Sequence, residues 1–258
     1  MADEFVGRAR ALSAAGLTAA AGSIGVNVPE IWAVLAVETS GCGFLADRRP
    51  RILYERHLFH ALTNGTFDDG DLSDPKPGGY GAPGAHQYDR LAGAMQLDRT
   101  AALLSTSWGL GQILGANCAM AGFADVESLV QAMSDSEDSQ TAAMAAFIRS
   151  ARLDTALQGH DWRSFARGYN GPNYAENNYD VRLGGEYQKA AAGASPDLAV
   201  RSAQLYLQFK GFDVGAVDGI LGPHTRSAII QFQTDNGLAA TGEVDQALLD
   251  ALVQQLTP

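Results

Sequence analysis

The stretch Ile31 to Phe44, IWAVLAVETSGCGF, constrains the chain more than any other. An apolar run from Ile31 to Val37 leads straight into Glu38, and Gly41 and Gly43 then break the pattern. Read as a helix, it puts Glu38 on one face with Ile31, Val34 and Leu35, at spacings of seven, four and three. A solvated glutamate would sit among polar neighbours. Burial instead disfavours the ionised form and raises the pKa. A carboxyl group that keeps its proton near neutral pH is what a general acid needs. The alternative is a structural glutamate paired with Arg48, Arg49 or Arg51, which follow closely.

The chain has 258 residues, 46% hydrophobic and 18% charged, enough for one large and one small domain. A net charge of −11 with no basic patch argues against a nucleic-acid partner and against attraction to an anionic membrane. The opening MADEFVGRAR has no apolar core behind a basic stretch, so no signal peptide is expected and synthesis is assigned to the cytoplasm. The most apolar window, Leu17 to Val37, contains Asn27, Pro29 and Glu30 and is broken by Gly22 and Gly25. No membrane insertion is expected from it. Cys42 and Cys118 are expected as free thiols, with a bridge between them as the alternative. The five histidines are scattered, and neither a P-loop nor a dinucleotide fingerprint occurs, so no metal and no cofactor is assigned.

A break in composition falls at QKAAAGASPD, Gln188 to Asp197. It divides the chain into residues 1–190, a linker at 191–197 and a tail at 198–258. The first part reads as mostly helical. Pro29 sits near a helix start with Asn27 as its cap. Met95 to Leu104 forms a helical stretch, and Ser134 with Glu137 fits a capping box. Trp162, Phe165, Ala166 and Tyr169 share a helix face that stops at Asn170-Gly171-Pro172. PRILYERHLF alternates like a strand, with Ile52 and Tyr54 facing one way and Leu53, Glu55 and His57 the other. The loop Asn64 to Gly84, rich in Gly, Pro and Asp, is long enough to be functional or mobile.

Three short motifs recur in order: ETSG at Glu38, SWGLGQI at Ser107 and ARGYNGP at Ala166. Each alone is unspecific. Together they resemble the lysozyme-like superfamily of goose-type lysozymes and soluble lytic transglycosylases. Longer blocks, among them VETSGCGFLADRRPRILYERHLFHALT, AALLSTSWGLGQILG and FARGYNGPNYAENNYDVRL, resemble the N-acetylmuramidase domain of phage and prophage endolysins over Leu17 to Tyr187. The resemblance implies a mainly α chain with a lysozyme-like α+β catalytic domain. The implied chemistry is cleavage of the β-1,4 bond between N-acetylmuramic acid and N-acetylglucosamine in peptidoglycan. It maps the catalytic acid onto Glu38, and Ser107, Gln112, Tyr169 and Asn170 onto the walls of the glycan cleft, although Tyr169 could equally serve as packing. Glu55 is the first choice for a second carboxylate, ahead of the aspartates of the Asn64 to Gly84 loop. The competing possibility is that it pairs with Arg51, Arg56 or His57. Trp108 and Trp162 are assigned to the core.

The tail, with its VDGILGPHT turn and IIQFQTDNGL helix, resembles a small three-helix peptidoglycan-binding domain. Val200, Ala203, Leu207, Ile229, Ile230 and Phe232 supply its core and Thr225 caps a helix. The resemblance implies a monomer that takes peptidoglycan glycan strands as partner. It would act on the cell wall, in the periplasm, after release or export, and its tail would be removable without unfolding the rest. The rival readings are a lytic transglycosylase giving 1,6-anhydro products and a non-catalytic wall-binding protein.

Overall fold

The computed structural model describes residues 4–39, 42–67 and 69–254. Ser40 and Gly41 of the first motif, and Asp68 of the long loop, lie outside the described residues. The chain runs α1 (Ala14–Ser23), α2 (Val28–Thr39), β1 (Ile52–Tyr54), α3 (Arg56–Leu62), α4 (His86–Leu97), α5 (Arg99–Leu104), β2 (Thr106–Trp108) and β3 (Ile113–Leu114). It continues through α6 (Val126–Asp135), α7 (Glu137–Ser150), α8 (Asp154–Gln158), α9 (Trp162–Asn170) and α10 (Tyr179–Ala191). The tail consists of α11 (Leu198–Phe209), α12 (Pro223–Asp235) and α13 (Gln246–Gln254). The fold is mainly α with one small antiparallel sheet, as the resemblance implied.

Helix α2 organises the larger core. Ile31 to Leu35 and Val37 are all buried, so the helix has no solvent face to offer and lies between α1 and α10. Each such aliphatic side chain contributes roughly 1.5–3 kcal/mol on leaving water. At its start, the Asn27 amide donates to Glu30 Oε2 at 3.1 Å, and Glu30 Oε1 lies 2.8 Å from His160 Nε2. Among the described residues no single helix is long and apolar enough to cross a membrane.

Several local expectations need correction. The extended segment is a strand over Ile52–Tyr54 alone, because its partner β2 is equally short; Glu55 then becomes the N-cap residue of α3. The stretch Met95 to Leu104 is broken at Asp98, whose extended backbone ends α4 and whose side chain caps α5 by accepting from the Ala101 amide at 2.9 Å. The cap of α7 is Ser136, with Ser134 inside α6; Glu137 is unavailable for a capping box because its carboxylate is turned into the protein. The long loop is pinned: Arg56 reaches Asp74 at 3.4 Å and the Gly78 carbonyl at 3.1 Å, Gln87 donates to the carbonyls of Tyr80 and Ala82, and the Tyr54 hydroxyl donates to Leu72 O at 2.7 Å. Cys42 and Cys118 are both free and sit in different parts of the packing.

In the tail, Val200, Ala203, Leu207, Ile229 and Phe232 are buried, and Ile230 is exposed. Thr225 does not cap α12. Gly222 precedes Pro223 there, and the Thr225 hydroxyl donates to Val214 O and accepts from Gln204 Nε2, both at 3.0 Å. The tail core also includes Ala9, Cys42 and Phe44 from the other end of the sequence, and Phe44 meets Phe209 edge-on at 6.2 Å. The tail is docked, and its packing takes in Cys42, four residues after Glu38.

Candidate active site

The cleft is built where α2 ends against the sheet. In the antiparallel register Leu53 stands opposite Ser107, and Ser107 opposite Leu114, so these three share one face while Ile52, Tyr54 and Trp108 turn into the core. Glu55 continues the parity of Leu53, one residue past the strand. The result is a cavity of about 350 Å³ lined by Glu38, Glu55, Ser107, Gln112, Tyr169 and Asn170, with Phe147 and Asn117 at its sides. All six site residues expected from the sequence therefore border one cleft. A larger hollow, about 640 Å³, lies near the N-terminal segment, but its charges are already matched, Arg99 with Glu4 and Glu127, and Arg8 with Asp135. Chemistry, not size, singles out the smaller one.

Glu38 is half-buried at the end of its apolar helix, and burial pushes its pKa up to about 8; the nearby Arg182 guanidinium opposes that rise. The three arginines suspected as its partners do not pair with it among the described residues: Arg48 donates to Gly7 O, Arg49 pairs with Asp47, and Arg51 Nε is buried with no hydrogen-bond partner. The group that does touch Glu38 is Tyr179, the buried first residue of α10, whose hydroxyl donates to Oε1. Arg182, one turn along α10, donates to Val37 O at 3.1 Å and fixes the helix end from the same side.

Glu55 is also raised above the usual carboxylate range, by burial. Of its expected rivals for structural pairing, His57 alone lies within ion-pair distance among the described residues. Arg56 points to Asp74, and His57 Nδ1 stands 3.7 Å from Glu55 Oε2, outside hydrogen-bond range. His57 itself is held below its usual pKa by burial and by Arg56, so near neutral pH it brings no charge to Glu55. Among the described residues the loop aspartates do not line the cleft: Asp71 lies by Arg90 and Asp74 by Arg56.

The remaining residues are held from behind. Tyr169 donates to Gly111 O at 2.7 Å and packs on Phe165 and Phe147, so it both packs and borders the cleft. Gln112 adopts a left-handed backbone (φ 47°) and spends its Nε2 protons on Gly109 O and Arg51 O, which leaves Oε1 for a ligand donor. Asn170 ends α9 and is exposed; Gly171 follows at φ 83° and turns the chain away. Trp108 is fully buried, and Trp162 is half-buried and stacks on His160; neither lines the cleft.

Tyr179 and Arg182 were not singled out from the sequence. The available signal was their spacing of three, which places a phenol and a cation on one helix face within NNYDVRL. What could not be read was that this face lands on the end of α2.

The model of the N-acetylmuramidase family matches residues 27–191, and the model of a peptidoglycan binding domain matches residues 197–252. Among solved structures, the crystal structure of a Burkholderia AP3 phage endolysin is 40% identical, covers 72% of this chain and 72% of that one, and superposes with a TM-score of 0.65. Comparison with curated proteins finds no match. With a matched family over most of its length and a cleft that joins two raised carboxyl groups, this chain belongs to the N-acetylmuramidase family and is a peptidoglycan hydrolase with a C-terminal binding module.

Proposed function

We propose that the enzyme cleaves the β-1,4 bond between N-acetylmuramic acid and N-acetylglucosamine by hydrolysis with inversion, Glu38 acting as general acid and Glu55 as general base. The observation that carries this is the presence of two burial-raised carboxyl groups in the lining of one cleft, with Glu38 held by a hydroxyl donor. Glu38 protonates the leaving glycosidic oxygen. Glu55, with no cation bonded to it, takes a proton from the water that attacks the anomeric carbon, and a proton is thereby returned to the pair in each turnover. Ser107, Gln112, Tyr169 and Asn170 line the glycan strand.

The same reading divides the chain into a catalytic domain at 1–190, a linker at 191–197 and a wall-binding domain at 198–258. It assigns the protein to the phage or prophage endolysins, as a monomer made in the cytoplasm that reaches the periplasmic wall after release or export. It needs no metal or other cofactor and has no nucleic-acid or membrane-inserted partner. Digested sacculi analysed by mass spectrometry test it. Reducing N-acetylmuramic acid ends are expected. Predominantly 1,6-anhydro products would make the enzyme a lytic transglycosylase and leave Glu55 without a catalytic role.

A further inference from the structure

The tail is joined to the rest by more than a linker. Glu137 and Arg201 are both fully buried, and they form a two-pronged ion pair, Nη1 to Oε2 and Nη2 to Oε1, each at 2.6 Å. Arg201 belongs to α11 of the tail and Glu137 to α7 of the larger part. The same carboxylate accepts two backbone amides, Leu12 N on Oε2 and Gly43 N on Oε1, both at 2.9 Å.

Gly43 stands between the two cleft carboxyls in the sequence. It lies five residues after Glu38 in the turn that leaves α2, and its carbonyl accepts from Arg51 N at 2.8 Å, where the chain enters β1 towards Glu55. The packing leaves it no slack: a Cβ on Gly43 would meet Gln140 Oε1 at 2.0 Å. Gln140, one turn beyond Glu137, accepts from Leu110 N at 2.7 Å, and Leu110 O accepts from the Thr39 hydroxyl at 3.0 Å. Cys42 and Phe44, on either side of Gly43, are buried in the tail core, with Phe44 against Phe209.

We infer that Arg201 and Phe209 of the wall-binding tail are positioning residues for the glycosidase reaction: through Glu137, Gly43 and Phe44 they fix the turn that sets Glu38 against Glu55. Neither touches substrate. A glycosidase pair tolerates little change in spacing, and displacements of about 1 Å from remote substitutions cost on the order of a hundredfold in rate. The tail is thus part of the catalytic apparatus as well as a wall anchor.

This inference rests on the proposed acid and base roles. Its test uses the full chain and soluble glycan strands stripped of stem peptide, with Arg201→Lys and Phe209→Leu. Lysine keeps the charge but loses the fork, and leucine keeps the apolar volume class while giving up the ring edge. In variants that remain folded by circular dichroism, kcat is expected to fall by roughly ten- to a hundredfold, with KM within about twofold of wild type and pelleting with sacculi unchanged. A change of stability alone would leave kcat untouched below the melting transition. If Arg201→Lys does not fold, Phe209→Leu is read in the same way. Folded variants with wild-type kcat would overturn the inference while leaving the hydrolase assignment intact. A wild-type chain unable to cleave the strands would sink that assignment and this inference together.

Discussion

The Tyr179 hydroxyl donates to Oε1 of Glu38, from the first turn of a helix that begins 140 residues after α2 ends. A hydrogen bond of this kind favours the ionised carboxylate, so it opposes the rise that burial imposes. In Tyr179→Phe the Glu38 pKa should move above its present value of about 8, carrying the alkaline limb of the pH–rate profile to higher pH. The rate at the optimum should fall by roughly ten- to a hundredfold through lost orientation. An unshifted alkaline limb would remove Tyr179 from the proton bookkeeping.

Glu38→Gln should keep the fold and lower lysis of purified sacculi, followed by turbidity, by at least about 10²–10⁴-fold. Near-normal turnover in the folded variant would refute the acid assignment.

The same substitution has a stability signature. Glu38 has a folded pKa raised above its unfolded value, so its proton contributes stability that is complete below the ordinary carboxylate range and is lost as pH rises through about 8. Wild type should therefore lose melting temperature between pH 6 and pH 9 faster than Glu38→Gln does. Parallel curves from differential scanning calorimetry would contradict the buried, protonated state.

Glu55→Gln should reduce kcat by about 10²–10⁴-fold and abolish the acidic limb of the profile. In wild type that limb should sit above the usual carboxylate range, because burial raises Glu55 as well. Persistence of the limb in Glu55→Gln would assign it to another group.

Truncation before α11 is expected to be costly, contrary to the picture of a removable tail. It would strand the Glu137 carboxylate in the core without Arg201, and removal of one partner of a buried pair costs about 3–5 kcal/mol. Urea unfolding of residues 1–193 should show that loss, and adding Glu137→Gln should recover part of it. A truncated chain as stable as the whole would show that Glu137 finds another partner.

Much of the site was legible because it is local. Glu38 reads as unusual from its own helix face, and the spacing of Leu53 and Glu55 survives in a strand of three residues. Ser107 and Gln112 lie on the two sides of a glycine-rich turn that any antiparallel pairing would close. Tyr179 and Arg182 were hidden because their significance depends on how α10 lies along α2, a tertiary fact with no trace in either helix alone. The misplaced cap has the same origin: Ser134 and Glu137 have the right spacing, but Glu137 is claimed by Leu12, Gly43 and Arg201, from distant parts of the sequence. A division drawn from composition at residue 191 likewise missed that Phe44 belongs to the packing of the tail.

The buried pair also sets an order on synthesis. Glu137 leaves the ribosome well before Arg201, and until α11 follows it the carboxylate has no guanidinium to receive it and Phe44 has no Phe209 to rest on. The nascent chain should hold most of its helices while the turn beyond Glu38 stays open, so the cleft closes late, when the last quarter of the protein has emerged. A hydrolase built this way reaches its cleft geometry only once α11 is in place, and fragments released early by stalled translation would carry Glu38 and Glu55 without the arrangement proposed for them. Limited proteolysis of stalled chains, with protection of the Cys42 to Phe44 turn appearing only once α11 is exposed, would register that order.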